Sequence, residues 1–190
     1  MTRAATARSI LTVEDDPIVR ADLRLVLEDA GFEVCDDARD GVEAVELERK
    51  HRPDLVLMDL GLPRRDGVEA IRQIRDAGDV PIVALTGHSK DDFVDRAIDA
   101  GADAYVLKPF HAEHLVGTVA QTLAEHAAKA DAAAEYERRH HLLLIESMLR
   151  DGRSEREIVA ALPKVSRGDD ADRPTRQAPA PPGRLRATRG

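Results

Sequence analysis

Residues 53–75, PDLVLMDLGLPRRDGVEAIRQIR, carry the pattern that decides the fold. Leu55–Met58 is a short leucine-rich apolar run, too short for a helix, with Pro53 standing just before it; Val68–Arg75 carries helical spacing instead. The stretch therefore reads as a buried strand, a loop and an amphipathic helix. Working outward, the same alternation recurs on both sides: Ile10–Val13 then Ile18–Glu28, Val34–Cys35 then Gly41–Arg49, Ile82–Leu85 then Asp91–Ala100, and Tyr105–Leu107 then His111–Glu125. Gly31, Gly78 and Gly101 follow the predicted helices as stops, and Pro81, like Pro53, precedes a strand. Strands separated by helices of this length pair in parallel, and right-handed crossovers place helices on both faces. The prediction is a doubly wound, five-stranded parallel α/β sheet over roughly residues 8–126.

Composition sets the outer bounds. A chain of 190 residues with 43% hydrophobic and 34% charged residues can build one ordinary domain plus an appendage, and is neither wholly disordered nor a large multidomain enzyme. The net charge of −8 argues against a surface that coats nucleic acid or anionic membrane as a whole. No apolar run is long enough to span a bilayer and the opening MTRAATARS lacks the apolar core of a secretory signal, so the expectation is a soluble, cytoplasmic protein without a membrane partner. One cysteine, Cys35, permits no internal disulfide and reads as a small core residue of strand two.

The charge is uneven. Residues 164–190 hold seven basic and three acidic residues, with Pro174, Pro179, Pro181 and Pro182 and no aromatics, which reads as a disordered basic tail; residues 1–7 are expected to be a disordered N-terminus. Residues 127–163 form a predicted helical extension. No glycine or proline interrupts the chain between Gly117 and Gly152, so a single helix over 112–150, about 58 Å long if straight, and a helix broken near Asp131 are equally compatible with the sequence. Beyond Gly152, Ser154 and Glu157 make a capping box for a short helix ending near Leu162.

In an open parallel sheet, ligands gather beyond the carboxyl ends of the strands. Strand one ends in Glu14-Asp15-Asp16, strand three in Asp59, strand four in Thr86 and strand five in Lys108-Pro109. Carboxylates brought to one edge repel, and a hard divalent cation, Mg²⁺ above all, is the usual remedy. A lysine and a hydroxyl arriving from the other strand ends supply the charge partner and the donor that a phosphoryl group needs. The constellation describes a carboxylate that receives phosphate.

Four segments, SILTVEDDPIVR, PDLVLMDLGLPRRDGVEAIRQIR, IVALTG and GADAYVLKPF, in this order and spacing over about 120 residues, resemble the receiver domain of two-component response regulators. The resemblance implies a flavodoxin-like sheet of order 2-1-3-4-5 over residues 8–126. It implies that Asp59 is the phosphoacceptor, taking phosphate from a phosphohistidine on a sensor histidine kinase or phosphotransfer protein, and that the chain is not a conventional enzyme, catalysing only its own aspartyl phosphorylation and dephosphorylation. Glu14, Asp15, Asp59 and the carbonyl of Gly61 would hold Mg²⁺, and Asp16 would be a helix N-terminal charge. Lys108, aimed by a cis peptide before Pro109, would pair with the phosphoryl oxygens, while Thr86 and Tyr105 would form the switch. New charge-assisted bonds of about 1–3 kcal/mol each suffice for such a switch, since about 5.5 kcal/mol carries a population from 1:99 to 99:1.

His88 is a candidate for guiding water onto the phosphosite, although a solvated loop histidine is the plainer reading; Arg64 and Arg65 read as solvated, with steering of an anionic partner as the alternative. His140 and His141 point about 100° apart on a helix and form an ordinary polar face rather than one site. The leading functional reading is a receiver whose helices over 112–162 mediate a homodimer or partner contact. The alternative is a DNA-binding transcriptional regulator using a divergent helix-turn-helix at 142–163; KVSRGDDADRPTRQ after Pro163 lacks the apolar spine of a recognition helix and weighs against it. A phosphatase or phosphotransferase using Asp59 toward an external substrate is the weakest reading.

Overall fold

The computed structural model describes residues 7–63, 66–87 and 91–161. The expectations for residues 1–6, Arg64, Arg65, His88 and the tail from Leu162 onward fall outside them. In chain order the elements are β1 (Ser9–Val13), α1 (Pro17–Asp29), β2 (Glu33–Ala38), α2 (Gly41–His51), β3 (Leu55–Asp59), α3 (Gly67–Ala77), β4 (Ile82–Thr86), α4 (Asp91–Asp99), β5 (Ala104–Leu107), α5 (Ala112–Arg150) and α6 (Glu155–Ala161). The strands pair in parallel in the order β2-β1-β3-β4-β5, the predicted doubly wound topology.

Two-residue periodicity sorts the core. On β3, Val56 and Met58 join Val45, Ile71, Ile74 and Ala97 of α2, α3 and α4, whereas Leu55 and Leu57 join Leu23, Leu27, Leu115 and Val119 of α1 and α5. Both faces of β1, β3 and β4 are thus covered, which is why these strands are apolar along their length rather than alternating.

The edge strand β2 is longer than the sequence reading of Val34–Cys35, because Asp36 and Asp37, poor strand formers, find partners there. Thr12 Oγ donates to Asp37, Arg24 pairs with the same carboxylate, and His51 Nε2 lies 2.9 Å from Asp36. Register passes from Ile10↔Val34 to Leu11↔Asp36, leaving Cys35 as the extra residue of a bulge; its side chain is half-buried against the core. Gly31 and Gly101 take left-handed backbone at the ends of α1 and α4, whereas Gly78 ends α3 in extended conformation. The end of α2 is made by Arg52, at φ 45°, immediately before Pro53.

The described chain falls into two compact units that divide between Glu135 and Tyr136. Of the two expectations for residues 112–150, the unbroken helix is observed; Asp131 causes no interruption. Within the second unit, the Arg153 N–H returns to Met148 O around Gly152, at φ 72°, and α6 begins with the Ser154 N–H and hydroxyl bonded to Glu157, each at 2.8 Å. Ile158 of this helix is buried. No helix among the described residues is long and apolar enough to cross a membrane.

Candidate functional site at the carboxyl edge of the sheet

Glu14 leaves β1 with its N–H bonded to Ala38 O, so the sheet's hydrogen bonding carries one residue past the strand and fixes this carboxylate in a buried position, 2% exposed. Asp15 follows, exposed, and Asp16 caps α1 by accepting from the Ile18 and Val19 N–H groups at 2.7 and 3.3 Å. Arg20, one turn into α1, donates to the carbonyls of Glu14 and Asp15 at 2.7 and 3.3 Å and pins the backbone that carries both acids. No apolar or strand periodicity singles out Arg20, and the sequence reading passes over it.

Asp59 ends β3 and is 7% exposed. Its Oδ1 accepts the Gly61 N–H at 3.1 Å and its Oδ2 accepts Lys108 Nζ at 3.0 Å; the same ammonium bonds Glu14 Oε2. Lys108 reaches this point from the end of β5, where its own N–H bonds Thr86 O at 2.7 Å and the following peptide, to Pro109, is cis. Thr86, at the end of β4, is buried beside them, whereas Tyr105 on β5 is 44% exposed. The structure thus brings Glu14, Asp15, Asp59 and Lys108 to one edge, with Thr86 on the adjoining strand end and Gly61 in contact with Asp59 through its N–H.

A second pair of residues holding the site is Asp66-Gly67. Asp66 caps α3 through the Val68 N–H at 3.0 Å and also accepts from Arg96 of α4 at 3.0 Å. Gly67 packs so closely on the chain at the phosphoacceptor candidate that a Cβ there would lie 2.2 Å from Asp59 O and 2.8 Å from Leu60 Cα. The Asp-Gly step in the quoted stretch was the available signal.

Electrostatically the edge carries an excess of negative charge. Burial pushes the Glu14 carboxyl above the ordinary carboxylate range; the Lys108 hydrogen bond opposes this and the Asp59 charge adds to it. Burial works against the Lys108 ammonium, but its bonds to Glu14 and Asp59 outweigh that and hold it above the ordinary lysine value. One oxygen each from Glu14, Asp15 and Asp59 lies within 4.8 Å of the others, while the Lys108 ammonium pairs with only Glu14 and Asp59. An all-oxygen donor set with that surplus of charge fits a hard divalent cation.

Residues 10–120 match the family model of the response regulator receiver domain. The chain is 47% identical over 116 residues to the transcriptional regulatory protein PdtaR of Mycobacterium tuberculosis, covering 61% of this chain and 57% of that protein, so it spans a little over half of that relative's length. It is 40% identical over 119 residues to the chemotaxis protein CheY of Halobacterium salinarum, covering 62% of this chain and 98% of that one. Among solved structures it is similar to the receiver domain of a sensor histidine kinase from Pseudomonas aeruginosa, determined with a magnesium ion coordinated in the active-site cleft, with a TM-score of 0.58, 32% identity, and coverage of 63% and 99% of the two chains. The sheet order, the acidic edge with its lysine and the match over residues 10–120 lead to one conclusion: the chain belongs to the response regulator receiver domain family.

Proposed function

We propose that this receiver domain accepts a phosphoryl group on Asp59 from the phosphohistidine of a sensor histidine kinase or phosphotransfer protein. The observation that carries the reading is Lys108 Nζ held between Glu14 and Asp59 at the strand edge where Asp15 converges. An Asp59 carboxylate oxygen forms the new bond to phosphorus as the P–N bond to the donor imidazole breaks. The Gly61 N–H, already on Oδ1, orients the carboxylate. Lys108 is positioned to exchange one carboxylate for the incoming phosphoryl oxygens. Glu14, Asp15, Asp59 and the Gly61 carbonyl are the residues that would hold Mg²⁺, which when bound neutralises charge on the transferring group. Thr86 donates its hydroxyl to the phosphorylated side chain and Tyr105 changes its exposure in response; the same site supports self-dephosphorylation.

Incubation with a phosphorylated kinase or a small acyl phosphate tests this. Mg²⁺-dependent, hydroxylamine-sensitive labelling is expected for the wild type and absent from Asp59→Asn; labelling retained in Asp59→Asn refutes the assignment.

A transcriptional output is the second reading, supported by the description carried by PdtaR and by the capped start of α6. Binding to promoter fragments that is steeply salt-dependent and discriminates sequence is its expected signature. Uniform weak binding that disappears without residues 164–190 leaves only tail electrostatics.

A further inference from the structure

From Tyr136 to Arg150, α5 presents two faces that differ in kind. His141, Leu144, Ile145 and Met148 are half-buried. On the opposite side Tyr136, Leu142, Leu143 and Leu149 are 59–69% exposed, an unusual apolar display for so short a segment. At the α-helical repeat these four fall, together with exposed Glu135, Arg139, Glu146 and Arg150, within an arc of about 140°. Tyr136 is held on this helix by stacking on His140, ring centroids 6.3 Å apart.

The order along this face is self-complementary when reversed. Reading forward it runs Glu135, Tyr136, Arg139, Leu142, Leu143, Glu146, Leu149, Arg150; reading backward, each apolar residue meets an apolar one, and each cation meets an anion. Positions 136 and 149, 139 and 146, and 142 and 143 are equidistant from one point on the helix. That is the pattern an isologous two-fold interface requires.

We propose that this face is where two copies of the chain pair, with their helices antiparallel about a two-fold axis between Leu142 and Leu143. The four leucines at positions 142 and 143 meet around the axis. Arg139 of each copy stands level with Glu146 of the other, and Tyr136 level with Leu149. A parallel seam would set Arg139 against Arg139 and Glu146 against Glu146, so charge selects the antiparallel arrangement. The sequence beyond Ala161 offers a poor alternative cover: its large apolar residues are Leu162, Val165 and Leu185, and it is net basic, whereas the face carries charges of both signs. A single pair of short helical faces buries less than the ~1,200 Å² of a standard stable interface, so pairing is micromolar or weaker and depends on concentration. The proposal is independent of the chemistry at Asp59.

Sedimentation equilibrium of the full chain over about 10–500 µM tests it. A monomer–dimer equilibrium is expected, and Arg139→Glu or Glu146→Arg alone weakens it at least about tenfold by placing like charges level with each other. The double variant Arg139→Glu/Glu146→Arg restores it, as does mixing the two single variants; unchanged far-UV circular dichroism shows that the helix survives. A monomer throughout the range, single variants that pair like the wild type, or a double variant no tighter than the singles overturns the proposal.

Discussion

Gly67→Ala is the substitution whose consequence the structure fixes most tightly. The added methyl would sit 2.2 Å from the carbonyl oxygen of Asp59 and 2.8 Å from Leu60 Cα, both backbone atoms with no flexible side chain to yield. Restoring an ordinary C···O separation of ~3.3 Å requires the first turn of α3 and the end of β3 to part by about 1 Å. Overpacking typically costs 1–3 kcal/mol, and because main chain must move on both sides the expected loss is about 3 kcal/mol, or about 10 °C in Tm. The displaced segment carries Asp59 itself. At a temperature where the variant is still folded, an error of about 1 Å in its placement slows labelling by a small phosphodonor by up to about 100-fold. Thermal unfolding by circular dichroism and initial labelling rates measure the two effects separately. A variant with the wild-type Tm and rate would refute the claim that this close contact sets the position of Asp59.

Gly117→Ala is the converse case: nothing lies within 4 Å of the added methyl inside α5, so the variant is expected to be more stable by about 0.5–1 kcal/mol in chemical denaturation. Lys108→Met removes the cation between Glu14 and Asp59 and is expected to cost about 2 kcal/mol in the absence of divalent ions. Added Mg²⁺ should then stabilise this variant more than the wild type, and equal gains would argue against the shared acidic site. Asp54 at the opposite edge supplies a pH test. Burial raises its carboxyl, but bonds from the Ser9 N–H, Arg8 and the Ser9 hydroxyl outweigh this and leave it below the ordinary value. Its ionised form is therefore the one the fold prefers: the contribution is complete above about pH 4 and is lost as pH falls through the depressed folded value. The stability gap between wild type and Asp54→Asn, about 1–2 kcal/mol at neutral pH, should close in acid, as read by urea denaturation at stepped pH.

What could be read directly from the sequence was whatever is encoded locally. The apolar runs at Leu55–Met58 and Ile82–Leu85 mark buried strands, and the residues just past them, Asp59 and Thr86, stand at one edge because parallel strands must end there together. Elements held by side-chain pairing across the fold were less visible. Asp36 and Asp37 are poor strand formers, and β2 extends over them because Thr12, Arg24 and His51 satisfy their carboxylates. The stop of α2 at Arg52 has no glycine to announce it. Arg20 and Arg96 act on backbone carbonyls and on a cap, respectively, and charged residues on helix surfaces have too many innocuous roles for spacing to isolate these two.

The bulge at Cys35 has a bearing on how the molecule can associate. An outer strand normally offers a row of open peptide groups onto which a neighbour's strand can zip, the first step toward indefinite growth. Here that row is broken by the unmatched residue and flanked by the ion-paired side chains of Asp36 and Asp37, while the other outer strand, β5, is only four residues long. Sheet-to-sheet polymerisation is thus discouraged at both borders, so open-ended growth by strand addition meets an obstacle on each side of the sheet.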